Sequence, residues 1–146
     1  MRDHDSKENS IWWTLRLTFG LVPIIAGLDK FTNILTNWSH YLSPLALKVV
    51  PVSAETFMRG VGIIEIIAGI LVLTVTRFGA YLVSAWMVAI AINLLTLGNY
   101  YDVAVRDVVM AIGALTLARL TELRTHEVEV TTTRREPLGE PLGAST

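Results

Sequence analysis

The chain has 146 residues, 52% of them hydrophobic and 17% charged, with a formal net charge of −1 and a mean hydropathy of +0.50. A soluble domain carries roughly a quarter charged residues, whereas four apolar segments here approach the ~20 residues needed to cross a ~30 Å hydrocarbon core. That leaves no room for a soluble catalytic module, and the lack of any cysteine excludes disulfides, thiolate metal sites, iron–sulfur clusters and c-type haem.

The opening MRDHDSKENS is long and acidic, and no A-x-A-like site follows the apolar run from Ile11 to Leu28. This run reads as a retained span and not as a signal peptide. Residues Asp29–Ser53 are too apolar for a solvated loop and too broken for a span. Pro44 and Pro51 bracket LALKVV, which predicts a short helix lying in the outer interface. Ser53 predicts an N-cap, with Glu55 in the first turn of a second span from Ala54 to Val75. A tight turn at Thr76–Gly79 leads to a third span, Gly79–Leu97. A second tight turn at Gly98–Asp102, with Asp102 as cap, opens a fourth span over Val103–Leu120. The remainder is polar, with Pro137 and Pro141 in an imperfect EPLGEPLG repeat, and reads as disordered or laid on a partner.

The expected fold is therefore an all-α, four-helix up-down-up-down transmembrane bundle over residues 11–120, with an interfacial helix in the first outer loop. Tails 1–10 and 121–146 flank it. Arg16, Gly20, Pro23, Gly27 and Lys30 step by four, three, four and three, which places them on one stripe of the first helix. Gly62, Ala68 and Gly69 flank Glu65 on an overlapping face of the second, and Gly113 and Ala114 follow Arg106 and Met110 on the fourth. Small residues let helices approach closely in lipid, so these faces are predicted packing surfaces.

The polar groups sort by depth. Glu65 sits near the midplane of GVGIIEIIAGILVLTV, where a carboxylate is costly unless paired, protonated or hydrated. Asp29, Lys30, Arg59, Asn93, Arg106 and Asp107 collect in the outer half, and Arg16 alone lies in the inner half. The bland readings are an interface anchor or packing pair for Arg16, an inter-helix salt bridge formed by Asp29–Lys30 and Arg106–Asp107 at their helix ends, and a helix–helix hydrogen bond for Asn93. Glu65 has the strongest claim to chemistry. His4, His40 and His126 all lie outside the spans, so in-membrane haem ligation by this chain is not expected.

At this point the residues form a pattern. An early Arg16, Gly20, Gly27 and then Lys30-Phe31 in RLTFGLVPIIAGLDKF, followed by Trp38…Tyr41-Leu-Ser-Pro44, a glycine-rich second span with Glu65, and Arg106-Asp107 opening the fourth, resemble the DoxX family over Leu15–Leu120. The resemblance implies a four-helix membrane fold. It also implies kinship with membrane subunits of a thiosulfate:quinone oxidoreductase and of other respiratory or redox-stress complexes. The family's Arg and Lys correspond to Arg16 and Lys30, and its acidic residue to Glu65. Having no cysteine, the chain lacks one route by which a member handles sulfur covalently.

Three functions compete. The first is a membrane subunit of a respiratory quinone-linked oxidoreductase, with Glu65 as proton relay and a polar pocket drawn from Arg16, Lys30, Arg59, Trp86, Asn93, Arg106 and Asp107. Its cofactor would be a membrane quinone, none being bound covalently. Its partners would be lipids and a flavoprotein or iron–sulfur subunit that supplies electrons, with no nucleic acid. The second is a non-catalytic accessory or assembly protein, and the third a small proton-coupled carrier. Catalysis by the chain alone is not expected.

Location follows from charge. Seven Lys and Arg (Arg2, Lys7, Arg77, Arg119, Arg124, Arg134, Arg135) fall on one face against Lys30 and Lys48 on the other. The positive-inside rule then places both termini in the cytoplasm of a plasma (inner) membrane protein. Reporter fusions after Thr146 and within residues 33–43 are expected to report opposite sides; the same side for both would remove a span or make the first connection re-entrant.

Overall fold

The computed structural model describes residues 2–135, with side chains over 6–126. All regular structure among the described residues is helical: α1 (Arg2–Thr32), a 3-10 turn (Trp38–Tyr41), α2 (Pro44–Val49), α3 (Ala54–Thr74), α4 (Thr76–Leu97) and α5 (Tyr101–Arg135). Three stretches are long and apolar enough to cross a membrane by length and composition: Ser6–Thr32, Ala54–Thr74 and Thr76–Leu97. The expected fourth span, inside α5, does not meet that measure, because Arg106, Asp107 and Arg119 interrupt it.

The helix ends are set by local chemistry. α1 stops where Asn33 turns left-handed at φ 51°, a conformation that Asn tolerates better than most residues. Ser43 caps α2 by accepting from the Leu45 N–H at 3.2 Å, ahead of Pro44 in the first turn. Ser53 caps α3 in the same way through Thr56, with Glu55 in the first turn as predicted. Gly98, at φ 77°, closes α4.

Several boundaries differ from those expected. The α3–α4 turn is the single residue Val75, and Thr76–Gly79 already belong to α4. Gly79 makes this tightness possible, since any Cβ there would strike the backbone of Leu71 and Val72. Asp102 lies within the first turn of α5, not at its cap. α1 reaches back to Arg2 and α5 forward to Arg135, well past Ile11 and Leu120; the EPLGEPLG segment lies outside the described residues. The 3-10 turn at Trp38–Tyr41 was not anticipated, because its four residues carry no periodic signal.

α1 packs along α3 and α4 along α5, both more extensively than α3 packs on α4. Each of these two pairs is antiparallel. Along α1, Arg16, Gly20 and Gly27 meet Leu73, Gly69 and Gly62 in descending order. On the other pair, Arg77 meets Glu122, and Ser84 Oγ donates to the Ala111 carbonyl at 2.9 Å. α5 also crosses α1, with Phe19 against Gly113 and the Trp12 indole N–H donating to Thr121 at 2.8 Å.

The core is built from small residues. Ala68, Ala80, Ala111, Ala114 and Ala118 pack with Val72, Val83 and Leu117 around Phe19, so close backbone approach replaces bulky interdigitation. Large apolar side chains such as Ile25, Ile67, Ile92, Val109 and Ile112 face outward. An apolar exterior of this extent is what a hydrocarbon solvent demands.

The tightest contact is glycine on glycine. A Cβ on Gly27 would lie 2.5 Å from the Gly62 carbonyl oxygen, and one on Gly62 would lie 2.6 Å from that of Gly27. Neither obstacle is a side chain that can swing aside. Gly27→Ala and Gly62→Ala are therefore each expected to lower stability by about 1–3 kcal/mol, read as a reduced thermal midpoint in detergent. Gly60→Ala, which meets nothing within 4 Å, is the matched control and should hold or gain stability.

Candidate functional site

The Gly27–Gly62 contact brings the next turn of α1 against the next turn of α3, where Lys30 and Glu65 meet. Lys30 Nζ lies 2.6 Å from Glu65 Oε2, and both side chains are only 4% exposed. This is the partner that a carboxylate buried in so apolar a stretch requires, and it comes from the stripe on which the sequence placed it. Arg59 and Arg106 do not compete for Glu65.

The ammonium is held from above as well. Lys30 Nζ lies 3.7 Å from the centre of the Trp38 ring, a cation–π contact whose strength grows with desolvation. Trp38 is fixed in turn by Asp29, whose Oδ2 accepts its indole N–H at 2.8 Å. Asp29 also accepts from the backbone N–H of Ile34 at 2.9 Å and of Leu35 at 3.1 Å, and from the Thr32 hydroxyl at 3.1 Å. Asp29 thus folds the chain back after α1 so that the Trp38 ring lands on its sequence neighbour. Its expected ion pair is replaced by this set of donors.

Asn93 performs a related task from α4. Its Oδ1 accepts from the Ser43 N–H at 3.0 Å and its Nδ2 donates to the Tyr41 carbonyl at 2.7 Å. It clamps the first connection and makes no helix–helix bond. The Tyr41 ring packs on Tyr100, centres 4.5 Å apart, and ties the same connection to the α4–α5 turn.

Beneath this cap lies a cavity of about 220 Å³. Lys30, Glu65 and Asn93 supply its polar wall, while Trp38, Met58, Val61, Trp86 and Ile90 supply much of the apolar one. Its other lining residues include Phe57 of α3 and Ala89 of α4, Ala89 being exposed on the outside of the bundle. The Trp86 indole nitrogen is buried and has no hydrogen-bond partner. A buried N–H donor without an acceptor is uncommon, and here it belongs to a residue that lines a cavity.

Asp107 lies on the face of α5 that carries the buried Ala104, Ala111 and Ala114. It is not among the cavity's lining residues. Its Oδ2 is buried without a hydrogen-bond partner.

The remaining candidates lie elsewhere. Arg106, one residue before Asp107, is rotated to the surface, with a side chain 74% exposed and 3.7 Å from Asp102. Arg59 is 53% exposed and pairs with Glu55 at 2.6 Å on its own helix. Both were expected in the pocket by depth, but depth along a helix does not fix the face. Arg16 donates to the Leu73 carbonyl at the last turn of α3 and sits over the Trp12 and Trp13 rings, 4.8 and 4.9 Å from their centres. A cation at that helix end contributes about 0.3–1 kcal/mol. Trp12 is also covered by Arg124 at 4.7 Å, so Arg16 belongs to a clasp at the opposite end of the bundle.

Sequence reasoning missed Asp29 and Trp38 as supports of the ammonium. Asp29 had been noted only as a helix-end charge, and nothing in the spacing signals a tryptophan folding back over a lysine eight residues earlier.

The family model described as DoxX matches residues 11–96. The match takes in Lys30, Trp38, Glu65, Trp86 and Asn93 and stops before α5, which carries Asp107. No curated protein and no solved structure matches the chain.

Removing one member of a buried ion pair strands the other charge, at a cost of about 3–5 kcal/mol. Lys30→Met and Glu65→Leu are each expected to reduce the amount of folded protein and its thermal midpoint sharply. The double variant, which leaves neither charge stranded, should recover most of the loss. A double variant as unstable as the sum of the singles would show that the two residues do not act as a pair.

Proposed function

The chain belongs to the DoxX family, and on that footing we propose that it is a membrane subunit of a quinone-linked respiratory oxidoreductase complex. In this reading α1, α3, α4 and the central part of α5 cross the plasma membrane up-down-up-down, α2 lies in the outer interface, and both termini are cytoplasmic. Electrons come from a partner flavoprotein or iron–sulfur subunit, because this chain has no cysteine to ligate a cluster.

The observation that carries the reading is a mostly apolar cavity walled by a buried ammonium, a buried carboxylate and a buried indole N–H with no acceptor. An acceptor oxygen in the cavity would satisfy that N–H. Typical sites for drug-sized ligands measure about 300–1,000 Å³. At about 220 Å³ this cavity suits a single-ring head, with an apolar tail left to lie among lipid chains. A bound quinone supplies a carrier that takes up two electrons and two protons. The Trp86 N–H and the Lys30 ammonium are the donors that would orient a carbonyl oxygen and stabilise charge developing on it. Glu65, at hydrogen-bond distance from Lys30, is the group that would hold and pass the protons.

The competing reading is an accessory subunit whose buried pair is structural. It is favoured by the directness of the Lys30–Glu65 contact, which leaves both groups satisfied without any ligand.

Glu65→Gln separates the two. It keeps the shape and leaves an amide oxygen to accept from Lys30 but removes the titrating proton, so quinone-reductase turnover per assembled complex should fall about 10²-fold or more, whatever the uncompensated Lys30 charge does to the amount assembled. Full turnover in a fully assembled complex would reject the relay. Independently, a soluble quinone analogue should quench the tryptophan fluorescence of the purified chain, and less so in Trp86→Phe.

A further inference from the structure

At the end of the bundle opposite the cavity, α1, α3 and α5 meet around Trp12 and Arg16. The Trp12 indole N–H donates to Thr121 of α5 at 2.8 Å. Two guanidiniums stand against its ring, Arg16 at 4.8 Å and Arg124 at 4.7 Å from the centre. Arg16 also lies over the neighbouring Trp13 ring, at 4.9 Å. Two like charges are thus gathered on one indole.

No ion pair among the described residues includes either arginine. Glu122, two residues before Arg124, is taken by Arg77 at 3.0 Å and by the Tyr81 hydroxyl at 3.2 Å. Glu8, one turn before Trp12 on α1, pairs with neither arginine. Arg16 donates instead to the Leu73 carbonyl, at a helix end that carries about half a negative charge. Arg124 donates to the neutral Asn9 amide oxygen at 2.9 Å. Arg16 Nε and Arg124 Nη1 are buried and make no hydrogen bond. Arginine keeps its charge at any physiological pH, so two cations and two donor groups stand uncompensated, which is costly beside hydrocarbon.

Both side chains are long and half-buried, so a small rotation turns the orphaned donors toward an anion at the bundle surface. A guanidinium fork matches the paired oxygens of a phosphate group. The ground beside them is apolar. Trp13, Leu17 and Leu21 step by four along α1 and are 44%, 45% and 46% exposed, forming a stripe that starts at the ring beneath Arg16 and runs toward the bundle centre. An acyl chain fills such a stripe, whereas a free phosphate ion makes no use of it. We infer that Arg16 and Arg124 bind the phosphodiester anion of a lipid headgroup, with an acyl chain laid on Trp13, Leu17 and Leu21. The site stands apart from the cavity and does not depend on what the cavity holds.

The test is native mass spectrometry of the full chain released from neutral detergent, titrated with dioleoylphosphatidylglycerol, with zwitterionic dioleoylphosphatidylcholine and with inorganic phosphate. One phosphatidylglycerol should be retained in preference to phosphatidylcholine. Its affinity should fall about tenfold or more in Arg16→Gln and in Arg124→Gln, each of which loses a charge-assisted hydrogen bond. Arg119→Gln, which removes an exposed arginine of α5, should leave it unchanged. Leu17→Gln should weaken retention of the lipid, since it breaks the apolar stripe and spares both arginines. If Arg16→Gln does not fold, Arg124→Gln, Leu17→Gln and the preference between the two lipids decide. Equal retention of both lipids, or retention indifferent to Arg124→Gln, would overturn the inference and leave the arginines a purely structural clasp. An equal loss in Arg119→Gln would reduce it to diffuse surface charge. Displacement of the lipid by millimolar inorganic phosphate, with Leu17→Gln without effect, would make the ligand a soluble phosphate and overturn the lipid assignment.

Discussion

A lysine and a glutamate can be buried together in an apolar bundle only if their heads reach each other, because neither tolerates desolvation alone. Here they reach because α1 and α3 touch backbone to backbone at Gly27–Gly62 and again at Gly20–Gly69. A pair of ordinary side chains at those positions would push the axes apart and leave the charges separated in a medium that screens them poorly. The glycines and the ion pair are thus one constraint stated twice: the close approach permits the pair, and the pair penalises any loosening of the approach. The turn that carries Asp29 and Trp38 and the clamp at Asn93 are arranged around this fixed point.

The two ends of the bundle are finished in different ways. At the end bearing α2, Trp38 and Glu65 converge on the Lys30 ammonium beside an open-sided cavity. At the other end, arginines stack on tryptophan and cap a helix, and Arg77 and Tyr81 both reach Glu122, at 3.0 and 3.2 Å. The first arrangement leaves a buried indole N–H without an acceptor beside open space. The second holds helices together, and there Arg16 Nε and Arg124 Nη1 are likewise buried without a hydrogen-bond partner.

Much of this was legible in the sequence. The stripe of Arg16, Gly20, Pro23, Gly27 and Lys30 and the face around Glu65 followed from helical spacing, and they form the α1–α3 contact. The short helix between Pro44 and Pro51 and the Ser53 cap followed from proline and serine chemistry. Depth misled at Arg59 and Arg106, because hydropathy places a residue along the helix axis while its angular position depends on neighbours that share its face. Asp107 shares a face with buried alanines; Arg106, about 100° away around a 3.6-residue turn, does not. The fold-back of Trp38 onto Lys30 was not legible, because it arises from a left-handed Asn33 and from hydrogen bonds that have no periodicity.

The one-residue break at Val75 fixes a fulcrum. α3 and α4 leave it as two arms, locked together at the root where Gly79 lies against Leu71 and Val72. The cavity wall formed by Phe57 and Ala89 sits far out along them. Eighteen residues of helix separate Val75 from Phe57, about 27 Å at about 1.5 Å per residue, so opening the arms by about five degrees widens the gap there by about 2 Å. A displacement of that size at the tips asks almost nothing of the root. The length of the arms, not the turn, therefore governs the width of the cavity wall, and the Lys30–Glu65 pair and the Asn93 clamp are what hold it at its present width.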